Sequence, residues 1–195
     1  MKRIFDIFFS SIGLIILSPI FILISLLIVL DSKGGIFYKQ KRVGKNNTDF
    51  YLFKFRSMHT DSDKKGLLTV GGRDSRITRM GYFIRKYKVD ELPQLLNVLM
   101  GNMSLVGPRP EVRRYVDMYN ETQKNVLTVK PGITDYASIE YSNENELLGK
   151  ATDPEKVYIE EIMPAKLNLN LKYIAEQGTF TDLKIILQTI KKIMR

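Results

Sequence analysis

With 195 residues the chain has room for one domain with a real core, not two. Lys and Arg number 30 against 21 Asp and Glu, a net charge of +9, so an anionic partner is expected: lipid headgroups, nucleic acid or phosphorylated substrates. The absence of cysteine and the single histidine, His59 in the polar run "SMHTDSD", exclude disulfide frameworks, thiolate metal sites and histidine-rich zinc sites, and argue against a Ser-His-Asp triad.

In chain order, the first element is apolar. No charge falls from Ile7 to Leu30, a stretch long enough to span the hydrocarbon core as a helix. No small-residue cleavage site follows it, so it is expected to stay in the protein. Ser18-Pro19 lies at its middle, where proline removes a backbone donor and restricts the preceding residue. Both flanks are basic, Lys2 and Arg3 before it and Lys33, Lys39, Lys41, Arg42 and Lys45 after it. The positive-inside rule places each flank on the cytoplasmic face, and both can comply only if the helix bends at Ser18-Pro19 and returns. A proline-kinked single span is the competing reading.

Residues 36–42 and 49–57 alternate apolar or aromatic with polar side chains, as half-buried strands do, and Gly44, Asn46 and Asn47 supply the turn of a β-hairpin. Residues 61–76 read as a polar, glycine-containing loop expected to be mobile. A helix is predicted over 77–87 and a second from about Glu91 to Met100, ending at Gly101. In the second, Leu92, Leu95, Leu96 and Leu99 form a stripe for burial, with Asp90 at the N-cap and Pro93 tolerated in the first turn. Residues 104–112 read as a rigid turn in which two prolines bracket Arg109, and "KPGIT" as a further turn leading into a possible strand, "DYASIEY". The chain closes on an amphipathic stretch, 181–195. Leu183, Ile186, Leu187, Ile190 and Met194 share one face and Lys184, Lys191, Lys192 and Arg195 lie mostly off it. This suits a helix in the membrane interface, with packing on the protein's own core as the alternative. The whole reads as an α+β fold, mostly helical.

The adjacent carboxylates Asp90 and Glu91 carry the chemical interest. By themselves they read as a helix cap compensating the macrodipole. Their surroundings add a second reading. An aspartate at a helix N-terminus beside Arg85, with Arg109 a further candidate neighbour, is expected to stay ionised, as a carboxylate nucleophile must. Glu91 could bind a hard cation such as Mg²⁺, which takes one or two carboxylates plus phosphate oxygens. Lys54, Arg56, Arg76, Arg79, Arg85 and Arg109 offer cations to phosphate, of which two or three would suffice for a diphosphate.

At this point the chain resembles, along nearly its whole length, the bacterial sugar transferases, the monotopic phosphoglycosyl transferases. The matching pieces are "KRIFDI" before an apolar segment with Ser-Pro, "KQKRVGK", "FKFRSM", "VDELPQLLNVLMGNMSLVGPRPE" and "KPGIT". The resemblance implies transfer of a phosphosugar from a UDP-sugar to polyprenyl phosphate, with release of UMP. It implies that Asp90 is the nucleophile, forming a covalent phosphosugar-aspartyl intermediate, and that Glu91 is associated with a required Mg²⁺, Asp90 contributing to the metal site. It implies that Arg85 and Arg109 meet phosphate; Lys54 and Arg56 stay as further phosphate-binding candidates from the reading of the cations. It implies a re-entrant membrane helix broken at Ser18-Pro19 over residues 1–32, and a catalytic domain over 33–195. Both termini and the active site would then face the cytoplasm at the bacterial inner membrane. Two departures touch donor contacts: Ser142 stands where small members have arginine, and Asn170 where they tend to have aspartate. Extra N-terminal membrane helices of larger members are not seen, so a minimal catalytic unit is expected. The partners implied are the UDP-sugar, polyprenyl phosphate and membrane lipid, with room for a homo-oligomer. Among rivals, a nucleic-acid binder is opposed by the uncharged apolar segment, and a non-catalytic membrane adaptor would not release UMP.

Overall fold

The computed structural model describes residues 2–62, 66, 68–71 and 74–193. Its first element, α1 (Lys2–Asp31), is apolar around its whole circumference and therefore cannot be satisfied by water. The helix continues through Pro19. The expected break at Ser18-Pro19 is thus not a loss of helix: proline withdraws one backbone donor, and the Ser18 hydroxyl donates back to the Ile15 carbonyl at 2.8 Å.

Both ends of α1 rest on the same folded body, while Ile15, Ile16 and Ile22 near its middle are exposed by 68–73%. At the N-terminal end Lys2 donates to Asp182 and the Tyr173 hydroxyl, both at 2.6 Å, and to the Val106 carbonyl at 3.0 Å. Arg3 donates to the carbonyls of Val98 and Leu99, and buried Asp6 accepts from Ser104 Oγ and the Leu105 amide. At the other end Ile24 and Ile28 pack with Phe55 and Ile84.

Strands β1 (Phe37–Val43) and β2 (Asp49–Phe55) form the expected antiparallel hairpin, in register from Phe37↔Phe55 to Val43↔Asp49. Asn46 and Asn47 hold the left-handed conformation that the turn requires. Just past β2, Arg56 turns back beneath the end of α1. Its guanidinium donates to the carbonyls of Ser32 (2.8 Å), Lys33 (2.7 Å) and Gly35 (2.6 Å) and to Ser32 Oγ (2.8 Å). It thereby supplies the donors and the positive charge that a helix C-terminus lacks. Gly34, at φ +129°, is needed here, because a Cβ would lie 3.3 Å from the guanidinium carbon.

The predicted helix over 77–87 is α2 (Arg79–Lys86), capped by Thr78 Oγ1, which accepts from the Gly81 amide at 2.9 Å. Helix α3 (Gln94–Met100) is shorter than expected and lies between α1 and β2. Its fully buried residues are Gln94, Leu95, Asn97 and Val98, whereas Leu92, Leu96 and Leu99 are half-buried. Asn97 explains the difference: it donates to the Tyr51 carbonyl at 2.7 Å and accepts from the Phe53 amide at 2.9 Å, serving the edge of β2 that β1 does not pair.

The two proline-rich turns become partners. β3 (Ser104–Val106) and β4 (Gly132–Thr134) form a short parallel ladder. A Cβ on Gly132 would come within 2.0 Å of the Gly107 amide nitrogen, so the close approach of the two backbones requires glycine. The possible strand at "DYASIEY" is instead helical. Asp135 accepts from the Ser138 amide at 2.6 Å and caps α5 (Tyr136–Glu140), so local capping prevails over apolar alternation.

Short helices α4 (Arg113–Val116), α6 (Glu144–Gly149) and α7 (Pro154–Val157) precede a π-helical turn over Tyr158–Ile162 and then α8 (Met163–Glu176). Helix α9 (Thr179–Ile193) packs one face on the protein's own core and leaves another exposed. Asp182 and Ile185 are buried and Ile186 is half-buried against the core, while Phe180, Leu183, Leu187 and Ile190 form an exposed apolar stripe. Met194 and Arg195 lie outside the described residues, as does part of the 61–76 loop.

Candidate active site

The dyad does not sit where a helix cap would. Lys88, in the left-handed region at φ 55°, opens a 3₁₀ turn over Val89–Glu91, and α3 starts only after Pro93, which occupies its N-cap position. Pro93 has no amide to continue an α-helical ladder from Val89, and the chain uses tighter bonds instead, Glu91 N to Lys88 O and Leu92 N to Val89 O. With three residues per turn, neighbours point about 120° apart, so the two carboxylates meet different surroundings.

Glu91 is clasped. Arg109 forks onto both of its oxygens, with the longer contact at 3.0 Å, and Lys54 donates to Oε1 at 3.0 Å. Burial alone would push the Glu91 carboxyl up, but Arg109 and Lys54 outweigh it and hold the group well below the usual carboxylate range. In return Glu91 raises the Arg109 pKa further, against the effect of burial. Burial lowers Lys54, with Arg109 adding to this and Glu91 opposing it. Arg109 is itself positioned: its amide donates to Asp135 Oδ2 at 3.1 Å, so the cap of α5 also fixes the turn between Pro108 and Pro110.

Asp90 is 5% exposed, and among the described residues no donor is hydrogen-bonded to its carboxylate. Burial, together with the charge of Glu91, pushes its pKa up, and Lys54, Arg85 and Lys88 only partly counter this. The expected helix N-terminus at Asp90 is corrected: no α-helix begins there, and desolvation raises its pKa. Arg85 acts on Asp90 through its charge, while its guanidinium donates to Thr69 Oγ1 at 3.1 Å.

The structure thus brings together Asp90, Glu91, Lys54, Arg85 and Arg109. It removes Arg56, whose donors are committed to the end of α1. Arg76 is held by Asp74 and by the carbonyls of Gly66 and Leu68. Asp135 and Lys88 join the site without having been singled out from the sequence. Asp135 had a signal, since aspartate is a favoured N-cap residue. The left-handed Lys88 had none.

Mg²⁺ would find two adjacent carboxylates: the oxygens of Asp90 are uncommitted to any described donor, while those of Glu91 are shared with Arg109 and Lys54, which would have to turn toward phosphate for Glu91 to take the ion. Among the described residues no group of three or more His, Cys, Asp or Glu gathers. This donor set fits an ion that completes its shell with phosphate oxygens and water, as Mg²⁺ does.

A sequence profile described as "Bacterial sugar transferase" matches residues 1–195. The chain belongs to the bacterial sugar transferase family. It is 36% identical over 197 residues to the UDP-N-acetylgalactosamine-undecaprenyl-phosphate N-acetylgalactosaminephosphotransferase of Aeromonas hydrophila, covering 100% of this chain and 44% of that protein. Identity to the undecaprenyl-phosphate glucose phosphotransferase of Komagataeibacter xylinus is 40% over 198 residues, covering 98% of this chain and 35% of that protein. The exopolysaccharide production protein PSS of Rhizobium leguminosarum bv. phaseoli is 38% identical over 199 residues, with 97% and 93% covered. The chain therefore spans less than half of the first two relatives and most of the third. Within this chain the "VDELP" and "GPRP" segments lie together through the Glu91–Arg109 pair, although Glu91 and Arg109 are separated by all of α3 and β3.

Proposed function

We propose that this sugar transferase moves a phosphosugar from a UDP-sugar to polyprenyl phosphate at the cytoplasmic face of a bacterial membrane. The observation that carries the reading is the asymmetry of the dyad, one carboxylate clasped by Arg109 and Lys54 and its neighbour buried without a donor. An uncommitted, desolvated carboxylate is a stronger nucleophile than a solvated one once ionised. Asp90 attacks the sugar-bearing phosphorus, the bond from that phosphorus to the UMP oxygen breaks, and UMP departs. An oxygen of polyprenyl phosphate then attacks the same phosphorus and breaks its bond to Asp90, which returns to carboxylate. Arg109, Lys54 and Arg85 bind and orient the diphosphate. Mg²⁺, held by Asp90 and Glu91, would supply charge neutralisation for the phosphates and the leaving group.

The membrane part of the proposal rests on α1. Its two ends lie on one body, which supports a helix that enters and leaves the bilayer on the same face. The exposed stripe of α9 supports a body resting on the lipid surface. Cysteines introduced singly at positions 2 and 45 should both resist an impermeant thiol reagent in intact cells. Labelling of only one of them would mean a true span.

The chemistry is tested with purified protein in lipid, undecaprenyl phosphate and a panel of UDP-sugars. UMP release that depends on Mg²⁺ is expected. With the donor alone, rapid quenching should yield a phosphosugar adduct on the peptide containing Asp90. Release of free sugar and UDP, or no adduct on that peptide under single-turnover conditions, would replace the covalent route with another.

A further inference from the structure

The exposed apolar stripe of α9 is bordered by charge. Lys191 stands one helical turn after Leu187, and Gln188 and Lys192, also one turn apart, continue the border toward α8. Here a groove of about 480 Å³ opens between α5, α8 and α9. Lys172 enters it from α8, with its ammonium 5.9 Å from the centre of the Tyr136 ring of α5. None of Asp90, Glu91, Lys54, Arg85 and Arg109 lines the groove, which is therefore distinct from the dyad.

Its charges do not balance. Lys172, Lys191 and Lys192 share the groove with a single carboxylate, Glu140, and among the described residues none of the four is in an ion pair. One unpaired surface lysine is ordinary, but lysines from two helices converging on one concavity repel each other, and an anion between them relieves the repulsion. Tyr136, Ile139 and Leu169, all half-buried, give the same groove an apolar wall. A free phosphate or nucleotide would use the cations and leave this wall and the neighbouring stripe unused. A phospholipid uses all three. Its phosphodiester meets the lysines, its glycerol and upper acyl carbons meet the wall, and its tails continue into the bilayer beside Leu187 and Ile190.

We propose that this groove is a headgroup site for an anionic phospholipid of the phosphatidylglycerol kind. The surplus of positive charge selects a net anionic lipid over a zwitterionic one. Lysine ammoniums suit a phosphodiester as rotatable point charges that demand no fixed geometry. Glu140 and Gln188 accept from the headgroup hydroxyls, and Glu140 disfavours a head that carries a second negative group. The inference rests on the reading that α9 lies on the lipid surface, and adds to it a site that chooses which lipid lies there.

The test uses the full chain in detergent with equal amounts of dioleoylphosphatidylglycerol and dioleoylphosphatidylcholine, and native mass spectrometry reads the lipid retained. The wild type should retain phosphatidylglycerol in preference to phosphatidylcholine. Lys172→Gln and Lys192→Gln should each weaken that retention by about fivefold, whereas Lys184→Gln, which removes a charge from α9 outside the groove, should stay within about twofold. Equal retention of both lipids, or an equal loss in Lys184→Gln, would overturn the site. So would displacement by an equal amount of undecaprenyl phosphate together with a raised acceptor KM in the groove variants, which would give the groove to the acceptor. The surface reading is checked apart from the site, by an environment-sensitive fluorophore on Leu187→Cys in phosphatidylcholine nanodiscs. A fluorophore left in water would defeat that reading and the site with it. A fluorophore buried in lipid, on a protein that does not select phosphatidylglycerol, would defeat the site alone.

Discussion

Arg56 and Arg109 are both heavily hydrogen-bonded, yet they serve regions built in opposite ways. Around Arg56 the donors of the guanidinium meet backbone carbonyls or Ser32 Oγ at the end of α1. Around Arg109 the donors meet a carboxylate whose neighbour, Asp90, is buried without a donor of its own. The first region is complete and serves to hold the apolar helix α1 on the body. The second is left incomplete, as a site that must accept phosphate would be. An arginine's role is set by what lies opposite its planar fork, and Lys54 and Arg56, two residues apart, fall on different sides of that division.

The largest expected effect separates the two regions at once. Asp90→Asn should lower turnover by roughly 10³-fold or more, because an amide cannot form the acyl phosphate. Its thermal stability at neutral pH should hold or rise. Substantial turnover in the folded variant would remove Asp90 from the chemistry.

Next in size is Arg56→Met, which strands several carbonyls at the end of α1 and should destabilise the protein by about 3 kcal/mol. Thermal unfolding in detergent measures this, and limited proteolysis near residues 31–36 should reveal the freed helix end. A raised KM for the UDP-sugar with unchanged melting would instead return Arg56 to the phosphate site.

Glu91→Gln should lower turnover by roughly 10²-fold and move the Mg²⁺ dependence to higher concentration, so that excess metal recovers part of the activity. The same excess should do nothing for Asp90→Asn. Equal rescue of both variants would erase the distinction between nucleophile and metal ligand.

The smallest effect is in the pH dependence of stability, where the two carboxylates have opposite signs. Glu91 titrates below its unfolded value, so it contributes stability that is present above that value and lost as pH falls through its folded pKa. Asp90 titrates above its unfolded value, so stability falls as pH rises from the ordinary aspartate range through the raised one. Urea unfolding should therefore find Glu91→Gln less stable than wild type at pH 7 and Asp90→Asn more stable, with both differences shrinking in acid. Differences of the same sign would mean that the dyad shares one environment.

Much of this was legible beforehand where the signal is local. The hairpin follows from alternation and two asparagines, α1 from an uncharged run, and the dyad from adjacent carboxylates among cations. The reading differed where a nearby residue redirects the backbone, or where a distant partner decides. Asp90 reads as a cap until Pro93 displaces the helix start. "DYASIEY" reads as a strand until Asp135 caps it. The leucine stripe of α3 ranks behind Asn97, because the unpaired edge of β2 needs a donor and an acceptor there.

By itself the sequence determined the apolar helix, the basic character and the chemistry available at Asp90 and Glu91, since hydropathy, charge and functional groups belong to residues wherever they lie. Only the tertiary structure decided which cation serves which anion. Arg109 reaches Glu91, Arg42 reaches Glu111 and Arg56 reaches the end of α1 because folding brings distant segments within 3 Å or so. Burial then drove the pKa of Asp90 up, whereas at Glu91 the charges of Arg109 and Lys54 outweighed burial and drove it down. Desolvation and Coulomb energy depend on position in space, and adjacent letters in a chain can differ in both.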